Sequence, residues 1–177
     1  MARRELALSA LLLAGECGCS PPEIWYSPPA QRASIDSSAP FANTIISTDD
    51  PDAAAHFVKD IAESSGTSWR WTKQCPTVKI RLPSVDHVAL EVDFALWDVA
   101  LKENGPVDIS FFVNGRLLER VHYTTPGSKH FEKPVPREWL STDRDTVAAA
   151  QISKMYTAKA DGAQFGCILS RLGFAQL

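Results

Sequence analysis

The chain has 177 residues, of which 45% are hydrophobic and 22% charged, and its formal net charge is -3. That balance can fill one ordinary core without metals or dense disulfides, and the length leaves room for a single domain once terminal segments are set aside. With so small a charge and no basic block, nothing in the chain can track a phosphate backbone, which argues against nucleic acid as a partner.

Residues 1–19 read as a secretory leader. Arg3 and Arg4 open it, Leu6 to Gly15 form an apolar run too short to span a bilayer, and Glu16-Cys17-Gly18-Cys19-Ser20 follows. Export is therefore expected, to the periplasm or the cell surface. Two cysteines directly after the apolar run resemble a bacterial lipoprotein leader, in which Cys17 or Cys19 would carry the lipid and supply the only membrane contact. An ordinary signal peptide with incidental cysteines and a retained cytosolic helix are the alternatives.

Residues 20–50 are rich in Pro and Ser, including Pro21, Pro22, Pro28, Pro29 and Pro40, and show no sustained apolar period. Such a stretch buries too little surface to order itself and reads as a tether. From 51 to 177 a folded domain is expected. Its start is ambiguous: Ala54, Phe57, Val58 and Ile61 would line a helix behind Asp50-Pro51, whereas Phe57, Lys59 and Ile61 alternate as in a strand, and a strand over His56–Ile61 is preferred.

Alternation then continues to the C-terminus. Val78, Ile80 and Leu82 share a face; Val88, Leu90, Val92, Phe94 and Leu96 give the cleanest pattern; Val107, Ile109, Phe111 and Val113 repeat it. Further strands are expected over Leu117–Tyr123, Lys129–Val135, Thr146–Tyr156 and Gln164–Phe174. Asn104-Gly105-Pro106, Asn114-Gly115, Pro126-Gly127 and Asp161-Gly162 mark turns. Eight or nine short strands with turns about every ten residues predict an all-β fold, an antiparallel jelly-roll-like sandwich. At the Asn114-Gly115 hairpin a two-residue loop would set Ile109 against Arg120. A three-residue loop with a bulge is preferred, because it sets Phe111 against Leu117 and Val107 against Val121.

Glu63, Trp69-Arg70-Trp71-Thr72, Val113-Asn114-Gly115, Pro134-Val135-Pro136 and the stretch from Asp161-Gly162 to Leu172-Gly173-Phe174 carry a resemblance. Over Ala54 to Phe174 the chain resembles the jelly-roll accessory domains, galactose-binding-domain-like in shape, of bacterial envelope proteins and of some glycosyltransferases. The resemblance implies a module that binds a glycan or packs against a neighbouring protein. It supplies no catalytic residue.

The chemistry-bearing side chains agree with that restraint. No Gly-x-Ser-x-Gly and no phosphate-cradling loop occurs, and no cofactor is called for. His122 and His130 flank the Pro126-Gly127 turn, with Glu119 and Glu132 nearby, but the spacing is not that of a metal site, and no metal is expected. Glu91 and Asp93 share a strand face about 7 Å apart, as an acid–base pair would, although alternating surface charge is the simpler reading. Among the tryptophans, Trp69 or Trp71 is expected in the core. Trp97 and Trp139, at strand ends near loops, are the candidate ligand-binding platforms. Cys75 and Cys167 are candidates for a disulfide if the first and last strands lie side by side, with two buried free thiols as the alternative. The sequence thus predicts a non-catalytic envelope module for a glycan or an envelope protein, or else a structural subunit with no small ligand; an enzyme whose site has no recognisable motif is the third reading.

Overall fold

A computed structural model describes residues 44–63 and 68–177. The expected leader, with Cys17 and Cys19, and most of the expected tether lie outside the described residues.

In chain order the elements are β1 (Ile45–Ser47), a one-turn helix α1 (Ala53–His56), β2 (Phe57–Ile61), β3 (Arg70–Ile80), β4 (Val88–Leu96), α2 (Asp98–Asn104), β5 (Val107–Val113), β6 (Arg116–Tyr123), β7 (Gly127–Pro134), a 3-10 turn (Arg137–Trp139), β8 (Thr146–Ile152), β9 (Tyr156–Thr157), β10 (Gln164–Phe165) and β11 (Ile168–Gln176). Every pairing is antiparallel. The expected all-β sandwich is what forms. One sheet runs β7-β4-β11, with β1 and the first residues of β3 side by side on the far edge of β11; the other runs β2-β3-β8-β5-β6. β3 belongs to both, pairing with β11 at Arg70 and Trp71 and with β8 from Thr77 to Ile80. Cys75-Pro76 lies between the two segments, where a proline removes one ladder donor as the strand changes sheet.

Alternating residues of both sheets meet in the core. Leu90, Val92, Phe94, Ile109 and Phe111, all expected inside, are buried. Phe111 of one sheet stacks on Phe131 of the other at 3.7 Å between centroids, and Phe94 closes on Phe111 at 6.3 Å and on Tyr123 at 5.5 Å.

Several expected boundaries shift. β1 lies inside the segment read as tether, and Ile46 is part of the core, so the fold begins before Pro51. β1 lies so close to β11 that a Cβ on Gly173 would sit 2.2 Å from the Thr44 carbonyl oxygen, which excludes any larger residue there. Both readings of the 54–61 segment hold in part, since one helical turn precedes β2. The long strands expected over 146–156 and 164–174 each break in two: Ser153 donates its N–H to Asp108, and Gly166 and Cys167 turn toward Thr72. α2 was not expected. It opens on Asp98, carries the Asp98–Lys102 pair and ends on Gly105 at φ 72, a conformation glycine adopts without strain.

The hairpin is also corrected. Asn114 (φ 50) and Gly115 (φ 78) form a two-residue loop with Val113 opposite Arg116, and the bulge lies further along β6, between the pairs Phe111–Glu119 and Phe112–Leu117. Leu118 is the extra residue. It restores the phase that a plain two-residue loop would lose, so that Ile109 faces Val121 and not Arg120.

Candidate functional site: a groove on the outer face of one sheet

The outward residues of the β2-β3-β8-β5-β6 sheet are set by its register. Thr77 of β3 and Phe112 of β5 both pair with Ala149 of β8, so one outward row reads Thr77, Ala149, Phe112. Two small side chains in the middle of a row lower the surface there. The result is a depression of about 430 Å³ with Ala149 and Thr77 in its lining and Lys59, Asp60, Gln74 and Gln151 among its polar groups. A second concavity of about 460 Å³ adjoins it, lined by Asn114, Arg116, Glu138, Trp139, Arg144 and Asp145, and the two share Gly115 and Val147.

Asn114 builds the second concavity. Its left-handed backbone turns the hairpin, its Nδ2 donates to the Trp139 carbonyl at 2.7 Å, and its Oδ1 accepts the Val147 N–H at 2.9 Å. The 3-10 turn carrying Trp139 is thereby pinned to β8. The Arg116 guanidinium lies over the Trp139 ring at 5.6 Å from its centroid. Asp145 is held by Arg81 at 2.9 Å, whereas Glu138 and Arg144 are exposed and form no ion pair among the described residues. This is the concave setting of an aromatic face with Asn, Asp and Arg that suits a sugar ring.

The other expected platform, Trp97, does not join Trp139. It caps α2 and packs edge-on against Trp71 at 5.6 Å and Tyr156 at 4.9 Å, while Trp71 also meets Trp69 and Phe165 at 5.9 and 5.0 Å. All five rings are half-buried. Trp69 and Trp71 are therefore on the outer face, not in the core as expected. The inward positions of this strand go to Arg70 and Thr72. Arg70 is buried with its Nε on the Thr48 carbonyl at 2.9 Å, its Nη1 on the Ala62 carbonyl at 3.3 Å and its guanidinium over Phe57. Those bonds tie the ends of β1, β2 and β3 together, and the tryptophans satisfy their apolar area against α2 and the β9–β10 ribbon.

The acidic and histidine candidates separate in a similar way. His122 pairs with Asp108 on one sheet, at 2.8 Å, and His130 with Asp93 on the other, at 2.7 Å, so the two histidines do not share a site. Glu119 is paired with Lys133 and Glu132 lies 3.5 Å from His130. Glu91, Asp93 and His130 each bring one ligand atom within 4.8 Å of the others, a spacing that a cation could use. Arg171 already lies against both carboxylates, at 3.3 and 3.1 Å. The two carboxylates thus meet one guanidinium and one imidazole of the protein's own. The hydrogen bond that His130 makes to the Asp93 carboxylate raises its pKa above the usual imidazole value.

Cys75 and Cys167 are both free thiols. β3 and β11 do lie side by side as the bridge required, but Cys167 sits beside Thr72, with its Sγ 3.4 Å from the Thr72 hydroxyl, and Cys75 is three residues further along β3. Three residues of strand are about 10 Å, beyond disulfide reach. Burial pushes the Cys167 thiol up to about 11, so it stays protonated and inert at neutral pH.

No known family model matches the chain, and no curated protein matches it. Among solved structures it is similar to a family GH115 4-O-methyl-α-glucuronidase with specificity for decorated arabinogalactans, with a TM-score of 0.39 and 9% identity over 62% of this chain. The match spans 14% of that protein's length. Among the described residues no helix is long and apolar enough to cross a membrane.

Proposed function

We propose that this chain is an exported, non-catalytic module of the cell envelope, of the jelly-roll accessory type, that holds a glycan in the groove on the outer face of its β2-β3-β8-β5-β6 sheet. The observation that carries the reading is the concavity in which Trp139, pinned by Asn114, stands among Arg116, Arg144 and Asp145 and opens onto the Ala149 depression. An aromatic face gives a sugar ring its apolar contact, and the surrounding side chains offer donors and acceptors to its hydroxyls. The depression beside it has room for further sugar units. Export follows from the leader and rests on the sequence alone.

A glycan array with the purified protein, followed by calorimetry on any hit, tests this. Trp139→Ala is expected to weaken the best hit by at least about tenfold, while Trp97→Ala leaves it within about twofold. A clean negative across bacterial and plant glycans would leave the protein as a structural subunit of an envelope assembly.

A further inference from the structure

We infer that the sugar held at Trp139 carries a carboxylate, that is, a uronic acid unit, and that Arg116 selects for it. The inference rests on the glycan-binding reading above and adds a ligand class to it.

The charges around the groove are uneven in their engagement. Lys59, Arg81, Arg116 and Arg144 stand against Asp60, Glu138 and Asp145. One of the three carboxylates is paired with a cation, Asp145 with Arg81 at 2.9 Å, while Asp60 accepts the Cys75 N–H at 2.9 Å and keeps its charge. Three of the four cations, Lys59, Arg116 and Arg144, form no ion pair among the described residues. Lys59 and Asp60 offset each other in the depression, so the excess lies in the Trp139 concavity, where Arg116 and Arg144 stand against Glu138 alone; both cations are guanidinium groups, whose planar fork matches a carboxylate in two parallel hydrogen bonds.

Arg116 gives that excess its selectivity. Its guanidinium covers the Trp139 ring at 5.6 Å, near the outer limit of a cation–π contact, so it occupies the face a sugar would use but is weakly held. A neutral sugar stacking on Trp139 displaces the guanidinium and offers it little in return. A uronic acid displaces it and supplies a charge-assisted partner at the moment the ring contact is lost. Discrimination comes from the difference between these two exchanges. Glu138 lines the same concavity and repels an incoming carboxylate, so the two guanidinium groups must outweigh it.

The test uses affinity gel electrophoresis of the full chain at physiological salt, with polygalacturonate and alginate in the gel, each beside its methyl-esterified form. The esters keep the backbone and remove the charge. Retardation by at least one acid form about tenfold stronger than by its ester supports the inference. Arg116→Ala should collapse that ratio toward one, and Arg116→Lys, which keeps the charge without the fork, should recover only part of it. Equal retardation by acid and ester overturns the carboxylate but keeps the groove, provided Trp139→Ala abolishes both. Retardation by dextran sulfate as strong as by the acids reduces the site to a general anion patch and also overturns it. No retardation by either acid overturns it outright, and the glycan array then decides separately whether the groove binds sugar at all.

Discussion

The two sheets share a core but present very different outer faces. On the β7-β4-β11 face, Glu91, Asp93, His130 and Arg171 satisfy one another within the sheet, and Glu91 and Asp93 are largely covered by their partners. On the other face the central row is Thr77, Ala149 and Phe112, the middle is sunken, and Lys59, Arg116 and Arg144 are left with no ion pair among the described residues. Charge alone does not mark a binding face. What distinguishes the face proposed to bind is that small side chains make room and that three of its four groove cations are not already answered.

Ways to break this comparison can be ordered by size. The largest effect belongs to the core both faces depend on: Phe111→Ala removes a fully buried ring stacked on Phe131 and should cost about 3–5 kcal/mol, read as a fall in the urea midpoint. An unchanged midpoint would mean that the sandwich is not held where the register places it. Next, Ala149→Leu fills the floor of the depression and should weaken glycan binding about tenfold while the melting temperature moves little. Glu91→Gln on the opposite face should leave binding untouched; if it matters as much as Ala149, the two faces have been assigned the wrong way round.

The smallest effect is a pH dependence of the β7-β4-β11 face. Asp93 raises the pKa of His130 in the folded state, so the protonated imidazole contributes its stability in full below its unfolded value and loses it as pH rises through the folded one. Because His130 is well exposed, the contribution is a few tenths of a kcal/mol. The melting-temperature advantage of wild type over His130→Gln should be present near about pH 5.5 and gone by about pH 8.5. A constant difference across that range would show that the Asp93 contact is not ionic.

Alternation made the architecture legible, but it reports period and not phase. β4 was readable because Val88, Leu90, Val92, Phe94 and Leu96 leave only one face to bury. At Trp69-Arg70-Trp71-Thr72 the same rule gave the wrong face, since bulk suggested that tryptophan goes inward, and nothing local shows that Thr48 and Ala62 offer carbonyls to a buried Arg70. The β6 bulge was invisible for a related reason: Leu118 looks like any strand residue until its partner is known. Trp139 was singled out as a candidate platform, but its concavity was not legible. Ala149 sits in a run of three alanines whose spatial neighbours Thr77 and Phe112 are distant in sequence, and Asn114 reads as a turn residue with no hint that its side chain reaches Trp139. The disulfide failed by register, because neighbouring strands were inferred without knowing which residues face each other.

The position of β11 has a consequence for how the molecule comes into being. The last described strand is central to its sheet, paired with β4 along one edge and with β3 and β1 along the other, in contacts that reach back as far as Ile45. A chain still lacking residues 168–176 would leave β4 and β1 with open edges and no partner between them. Closing such distant pairs costs loop entropy before any contact repays it, so closure of this sheet is expected to wait on β11 and to be slow. That sheet is therefore expected to close only once residues 168–176 have been made, and a truncation within them removes its central strand.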